Sequence, residues 1–166
     1  MSFSVKQAQP KQGDLVSEIL LEAISWMDTH GISLWRRDEI MPDLLQPDVE
    51  AGLFYLAWDE EQAVGTIKYQ LEDELFWPDV PKGESAFIHK LAVRRAYSGG
   101  VISNYLLKWA VEKSKSQGLQ YLRLDCDAAR PKLCSVYEKF GFQKHSTRQV
   151  GRFCVMRFEY PLVMSI

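Results

Sequence analysis

An apolar run ending in Leu91-Ala92-Val93 leads through Arg94-Arg95-Ala96 into Tyr97-Ser98-Gly99-Gly100, and a helical pattern begins directly after it. Glycines at such a junction permit positive φ and let the main chain approach a ligand closely. The first turn of a helix leaves N–H groups without intrahelical acceptors and carries partial positive charge. Together these features can cradle a diphosphate without Lys or Arg. The same residue types also build an ordinary turn with a capped helix, and on these residues alone both readings stand. Neither G-x-G-x-x-G nor G-x-x-x-x-G-K-[ST] occurs in the chain, which argues against dinucleotide and P-loop folds. His89 interrupts the same apolar strand, where an imidazole can act as a base or simply bond a neighbour.

Other reactive side chains carry weaker signals. Cys126, Cys134 and Cys154 are odd in number and lack C-x-x-C spacing, so they suit neither a disulfide framework nor a zinc site. They read as small buried hydrophobes in a reducing compartment. The net charge of −2 does not suggest a nucleic-acid binder. Met1–Pro10 has no apolar leader-like core, and no run approaches the length of a membrane helix. The expectation is a cytoplasmic protein bound to neither nucleic acid nor membrane, with no metal.

The elements that must position these residues follow from periodicity. Ser2–Gln7 reads as a strand. Gly13–Thr29 reads as a helix with Leu15, Val16, Ile19, Leu20, Ala23, Ile24 and Met27 inward, Ser17, Glu18 and Glu22 outward, and Gly31 as its stop. A short helix or turn is expected near Trp35–Glu39, before Pro42. Leu53–Trp58 and Ala63–Leu71 form a hairpin about Asp59-Glu60-Glu61, and an acidic loop, Glu72–Glu84, follows. Ala86–Val93 is a strand, and the next helix reaches about Gln117 with Ile102, Leu106, Trp109 and Ala110 inward. Tyr121–Cys126 is a strand. Pro131–Phe140 is a helix with Leu133, Val136, Tyr137 and Phe140 inward, and Gln143–Val150 and Arg152–Tyr160 close the chain as strands about Gly151. Helices alternating with strands and hairpins imply an α/β mixed sheet with helices on its faces. No linker divides residues 1–166, so a single domain is expected.

Phe87-Ile88-His89-Lys90-Leu91-Ala92-Val93 with Tyr97–Leu107 resembles the acetyl-CoA motif of the GNAT N-acetyltransferase family, whose loop reads [QR]-x-x-G-x-[GA]. Tyr137-Glu138-Lys139-Phe140-Gly141-Phe142 is similar to the family's Y-x-x-x-G-F run. The likeness is strongest over residues 86–142. Three positions depart from it: Ser98 replaces Gln or Arg, Val101 replaces a glycine and can crowd a phosphate, and Arg130 stands where the family often has Asn. Gly100 offers a shifted turn in compensation.

The resemblance implies a mostly antiparallel twisted sheet flanked by helices, its fourth and fifth strands splayed around an acetyl-pantetheine arm. It implies acetyl-CoA as cosubstrate, held by Leu91, Ala92 and Val93, by the turn Ser98, Gly99, Gly100, Val101, Ile102, Ser103 and Asn104, and by Arg130 and Tyr137. An N–H near Leu91 would support the oxyanion. An amine of pKa about 10.4 costs about 4.6 kcal/mol to hold neutral at pH 7, so a base is useful: His89 first, Glu84 in reserve. Tyr137 would protonate the leaving thiolate, or else serve as a core tyrosine. Trp35 and Trp77 lie on segments that border the acceptor pocket in similar proteins, and the acidic loop would attract a cationic amine or else be solvated. The implied activity is acetyl transfer to a small-molecule amine. The alternatives are transfer to a protein or peptide amine, or a non-catalytic acyl-CoA sensor on the same fold. A homodimer through the last strands is compatible with the sequence.

Overall fold

The structure is a computed structural model and describes residues 2–31 and 37–162. Its elements run β1 (Phe3–Gln7), α1 (Gly13–Thr29), α2 (Pro42–Glu50), β2 (Phe54–Asp59), β3 (Gln62–Gln70), β4 (Ser85–Val93), α3 (Val101–Ser116), β5 (Tyr121–Asp127), α4 (Pro131–Phe140), β6 (Gln143–Val150) and β7 (Phe153–Pro161). The strands make a seven-stranded mixed sheet in the order β1-β2-β3-β4-β5-β7-β6. β4 and β5 are parallel, whereas β1/β2, β2/β3, β5/β7 and β6/β7 are antiparallel. Among the described residues no helix is long and apolar enough to cross a membrane. Contacts gather the chain into two compact units, Met1–Tyr69 with Lys90–Leu107 and Gln70–His89 with Lys108–Ile166.

In the first unit α1 buries Val16, Ile19, Leu20, Ile24 and Met27 in one cluster with Leu45, Val49, Phe54 and Leu56. Each fully buried Leu or Ile there contributes about 1.5–3 kcal/mol. Ser17, expected on the outer face, is buried, and its hydroxyl donates to Ile40 O at 2.7 Å. That bond satisfies a polar group that would otherwise penalise burial. The short helix or turn expected near Trp35–Glu39 is met by a 3-10 turn at Arg37–Ile40, and helix α2 follows it over Pro42–Glu50, where no helix is expected. Pro42 occupies its first turn, where a missing N–H costs nothing. Pro47 lies inside it, and the burial of Leu45 and Val49 offsets the lost bond. Gly65 of β3 lets α3 come close, because a Cβ there would stand 3.1 Å from Ile102 Cγ2 and 3.2 Å from Ala92 O.

In the second unit β5 pairs with β7 from Tyr121↔Pro161 to Asp127↔Val155, with Leu122, Leu124 and Phe158 buried. Two buried arginines fasten this region. Arg123 bonds Ser85 and pairs with Glu84 at 3.2 Å and Glu159 at 3.1 Å. Arg157 donates to Asp79 at 2.7 and 3.0 Å, to Phe76 O at 3.1 Å and to Ser146 at 2.9 Å. On α4 the buried residue is Cys134, while Val136, expected inward, is 47% exposed.

Candidate functional sites

The turn before α3 is held in place by its own unit. Glu22 accepts from Arg94 Nη1 at 3.0 Å and from the Arg95 N–H at 2.9 Å. Glu18 pairs with Arg94 Nη2 at 3.1 Å, and Arg94 Nε donates to Ala63 O. The Tyr97 hydroxyl donates to Asp59 at 2.8 Å. The main chain then swings through Gly99 at φ 133° and Gly100 at φ 95°, conformations that residues with a Cβ rarely adopt. A Cβ on Gly99 would meet nothing within 4 Å, and one on Gly100 would meet only Asn104 Nδ2 at 3.9 Å. The space over the glycines is therefore open. The first helical bond runs from Asn104 N–H to Gly100 O at 2.9 Å, so the N–H groups of Val101, Ile102 and Ser103 precede the helical ladder. The Val101 side chain is 63% exposed and does not fill the turn. This geometry fits an anionic ligand.

In the other unit the pairing of β4 with β5 covers only Ser85↔Tyr121, Ala86↔Leu122 and Phe87↔Arg123. Both strands continue beyond that point, and β4 carries a kink at Lys90, whose φ is 52°. Positive φ in a non-glycine residue is costly and redirects a strand. His89, just before the kink, has Nε2 2.6 Å from Asp73 Oδ2, and its Nδ1 lies 3.8 Å from Asp125 Oδ2. The Asp73 carboxylate also accepts the Phe76 N–H at 3.0 Å. Burial pushes the Asp73 carboxyl up, but the His89 hydrogen bond and charge together with the Phe76 and Leu75 N–H groups outweigh it, so it stays below the usual value. The result is an imidazole flanked by two carboxylates.

Tyr137 sits on α4 with its ring 6.1 Å from that of Phe158 and 6.0 Å from that of Phe142. Burial raises its phenol well above the ordinary range, Cys126 and Asp125 add to the shift, and Arg130 opposes it. The hydroxyl therefore keeps its proton and can share it in a hydrogen bond. The Cys126 and Cys134 sulfurs approach each other to 3.0 Å, both buried. Arg130 is the residue preceding α4 and is partly buried.

The family model described as the acetyltransferase (GNAT) family matches residues 17–142, which is most of the chain. The chain belongs to that family. It is an acyltransferase of the GNAT N-acetyltransferase kind, as its motifs implied. It is 24% identical over 139 residues to the uncharacterized N-acetyltransferase YesJ of Bacillus subtilis (strain 168), a match covering 80% of this chain and 77% of YesJ. Its fold matches a GNAT-family acetyltransferase of Listeria monocytogenes 4b F2365 with a TM-score of 0.80, at 21% identity over 96% of this chain and 95% of that one. It also matches the PaiA N-acetyltransferase of Thermoplasma acidophilum, solved in complex with coenzyme A, with a TM-score of 0.76, at 20% identity over 96% of this chain and all of that one.

In this GNAT chain the other candidate side chains have varied surroundings. Trp77, expected beside an acceptor, is 2% exposed. It is enclosed by Phe87, His145 and the Arg123 and Arg157 guanidinium groups, the last 4.6 Å from its ring centroid. Trp35 lies outside the described residues. Glu84, the reserve base, is committed to Arg123 at 3.2 Å. The acidic loop is largely spoken for: Asp73 by His89, Glu74 by Lys82 and Asp79 by Arg157. Cys154 is exposed, unlike the other two cysteines. Sequence reasoning missed the carboxylates beside His89. Asp125 had a visible signal, a charge inside the apolar strand Tyr121–Asp127, whereas Asp73 in its loop had none.

Proposed function

We propose that the chain transfers the acetyl group of acetyl-CoA to the amine of a small molecule by direct attack of that amine. The observation that carries this reading is the open glycine turn, with the N–H groups of Val101, Ile102 and Ser103 ahead of the first helical bond. Acetyl-CoA supplies a diphosphate anchor and a thioester-activated acetyl group. Of the turn 98–104, the N–H groups of Val101, Ile102 and Ser103 bind the diphosphate. The main chain of Leu91, Ala92 and Val93 lines the pantetheine arm, and the N–H near Leu91, following the kink at Lys90, polarises the carbonyl. His89 takes the proton of the amine, and Tyr137, its phenol held protonated, donates a hydrogen bond to the departing sulfur. Arg130 adds positive charge near the Tyr137 phenol. A small acceptor is favoured because the groups around His89 are recessed: side-chain exposure is 18% for His89, 4% for Asp73 and 9% for Asp125.

The test is free-thiol release with acetyl-CoA against an amine library and a peptide library in parallel, with products weighed by mass spectrometry. The expected outcome is an acetylated small amine with the peptides unmodified. Peptides as the sole acetylated products would overturn the acceptor class.

A further inference from the structure

We infer that Asp73 is a positioning residue for His89, holding the imidazole as its Nε2–H tautomer and leaving Nδ1, which faces Asp125, as the atom that takes the proton. This rests on the reading of His89 as the base. Asp73 and His89 are brought together from 16 residues apart, with Oδ2 2.6 Å from Nε2. That distance is characteristic of a charge-assisted hydrogen bond. Asp73 is 7% exposed and fixed on its other side. Its Oδ1 accepts the Phe76 N–H at 3.0 Å, and its carbonyl accepts the Trp77 N–H at 3.0 Å. The Phe76 ring, 5.7 Å from the imidazole, packs beside it.

The tautomer follows from the inventory of protons. The Asp73 carboxyl titrates below its usual range, so at neutral pH it is an acceptor only. A neutral imidazole has one N–H and one lone pair, and Nε2 must carry the hydrogen if it is to bond a carboxylate. The lone pair is then on Nδ1. Asp125 Oδ2 is 3.8 Å from Nδ1, too far for a direct hydrogen bond. An ammonium has several N–H groups and can donate to both atoms at once. In the transfer its N–H bond breaks, the pair stays on the amine nitrogen, and the proton moves to Nδ1. The resulting imidazolium lies between the Asp73 and Asp125 carboxylates, which stabilise it. Asp73, His89 and Asp125 bring ligand-type atoms within 4.8 Å of one another; an Nε2 bearing hydrogen toward Asp73 leaves Nδ1 as the one ring atom with a lone pair to offer.

The first test needs no activity. A long-range 1H–15N correlation spectrum of the full 15N-labelled chain without acetyl-CoA, at a pH where His89 is neutral, identifies its tautomer, with His89→Gln assigning the signal. The expected result is a protonated Nε2 and a bare Nδ1; an Nδ1–H tautomer overturns the inference whether or not the chain acetylates amines. The second test is a double-mutant cycle. Asp73→Asn is expected to lower kcat about 10- to 100-fold with the KM for acetyl-CoA unchanged, and to cost nothing further in the His89→Gln background. Additive losses in the two backgrounds contradict an action through His89. If Asp73→Asn does not fold, the wild-type tautomer decides the matter alone.

Discussion

Tyr137 and Asp79 are individual residues whose environments make opposite predictions. The Tyr137 phenol is held protonated by burial, reinforced by Cys126 and Asp125. Tyr137→Phe removes only its hydroxyl, so acetyl-CoA binding should be preserved while kcat falls about 10- to 100-fold, the worth of one hydrogen bond to a developing anion. Calorimetry and initial rates on the same preparation check both halves. Asp79 is shifted the other way, from 3.8 to about 2, by the hydrogen bonds of Arg157. A carboxyl depressed in the folded state stabilises it fully above the unfolded pKa and loses that contribution as the pH falls through the folded one. The contribution of Asp79 should therefore fade between about pH 4 and about pH 2. Asp79→Asn should lower the melting temperature at neutral pH, and its difference from wild type should narrow across that window. The Asp79 side chain is 53% exposed, so the effect is small, below about 1 kcal/mol, and weakens with salt.

Elements were legible in the sequence where one pattern determined them. Helices α1 and α4 run over Gly13–Thr29 and Pro131–Phe140, as periodicity and their flanking glycines indicate. The glycine turn was legible too, because its residue types are demanded by main-chain conformation. Helix α2 was hidden because its two prolines argue locally against a helix, and what sustains it is burial of Leu45 and Val49 in a core assembled from distant segments. The Asp73–His89 pair was hidden for the same kind of reason: nothing local links a loop carboxylate to a strand imidazole. Two predictions belong to elements. Gly65→Val should destabilise by about 1–3 kcal/mol in urea unfolding, since the added atoms meet Ile102 and the Ala92 carbonyl at 3.1–3.2 Å. Arg123→Ala should cost about 3–5 kcal/mol by the same measurement, because it strips Glu84 and Glu159 of their common partner.

For the whole molecule the family assignment sets the chemistry, and the proposal that the chain's own turn grips the cosubstrate is what remains to be tested. Residues 98–104 depart from the family's usual loop at Ser98 and Val101, yet the turn is open and the Val101 side chain faces outward. A ligand bound only by the folded chain at 100 times its Kd adds about 2.7 kcal/mol of stability. Acetyl-CoA at that excess should raise the melting temperature by roughly 5–10 °C. The most direct measurement is a calorimetric titration of the chain with acetyl-CoA beside acetyl-pantetheine, which has the thioester arm but no diphosphate, repeated on Gly100→Val. The account predicts that acetyl-CoA binds wild type at least about 10-fold more tightly than acetyl-pantetheine, and that Gly100→Val abolishes the advantage. Equal affinity of wild type for the two compounds would contradict it.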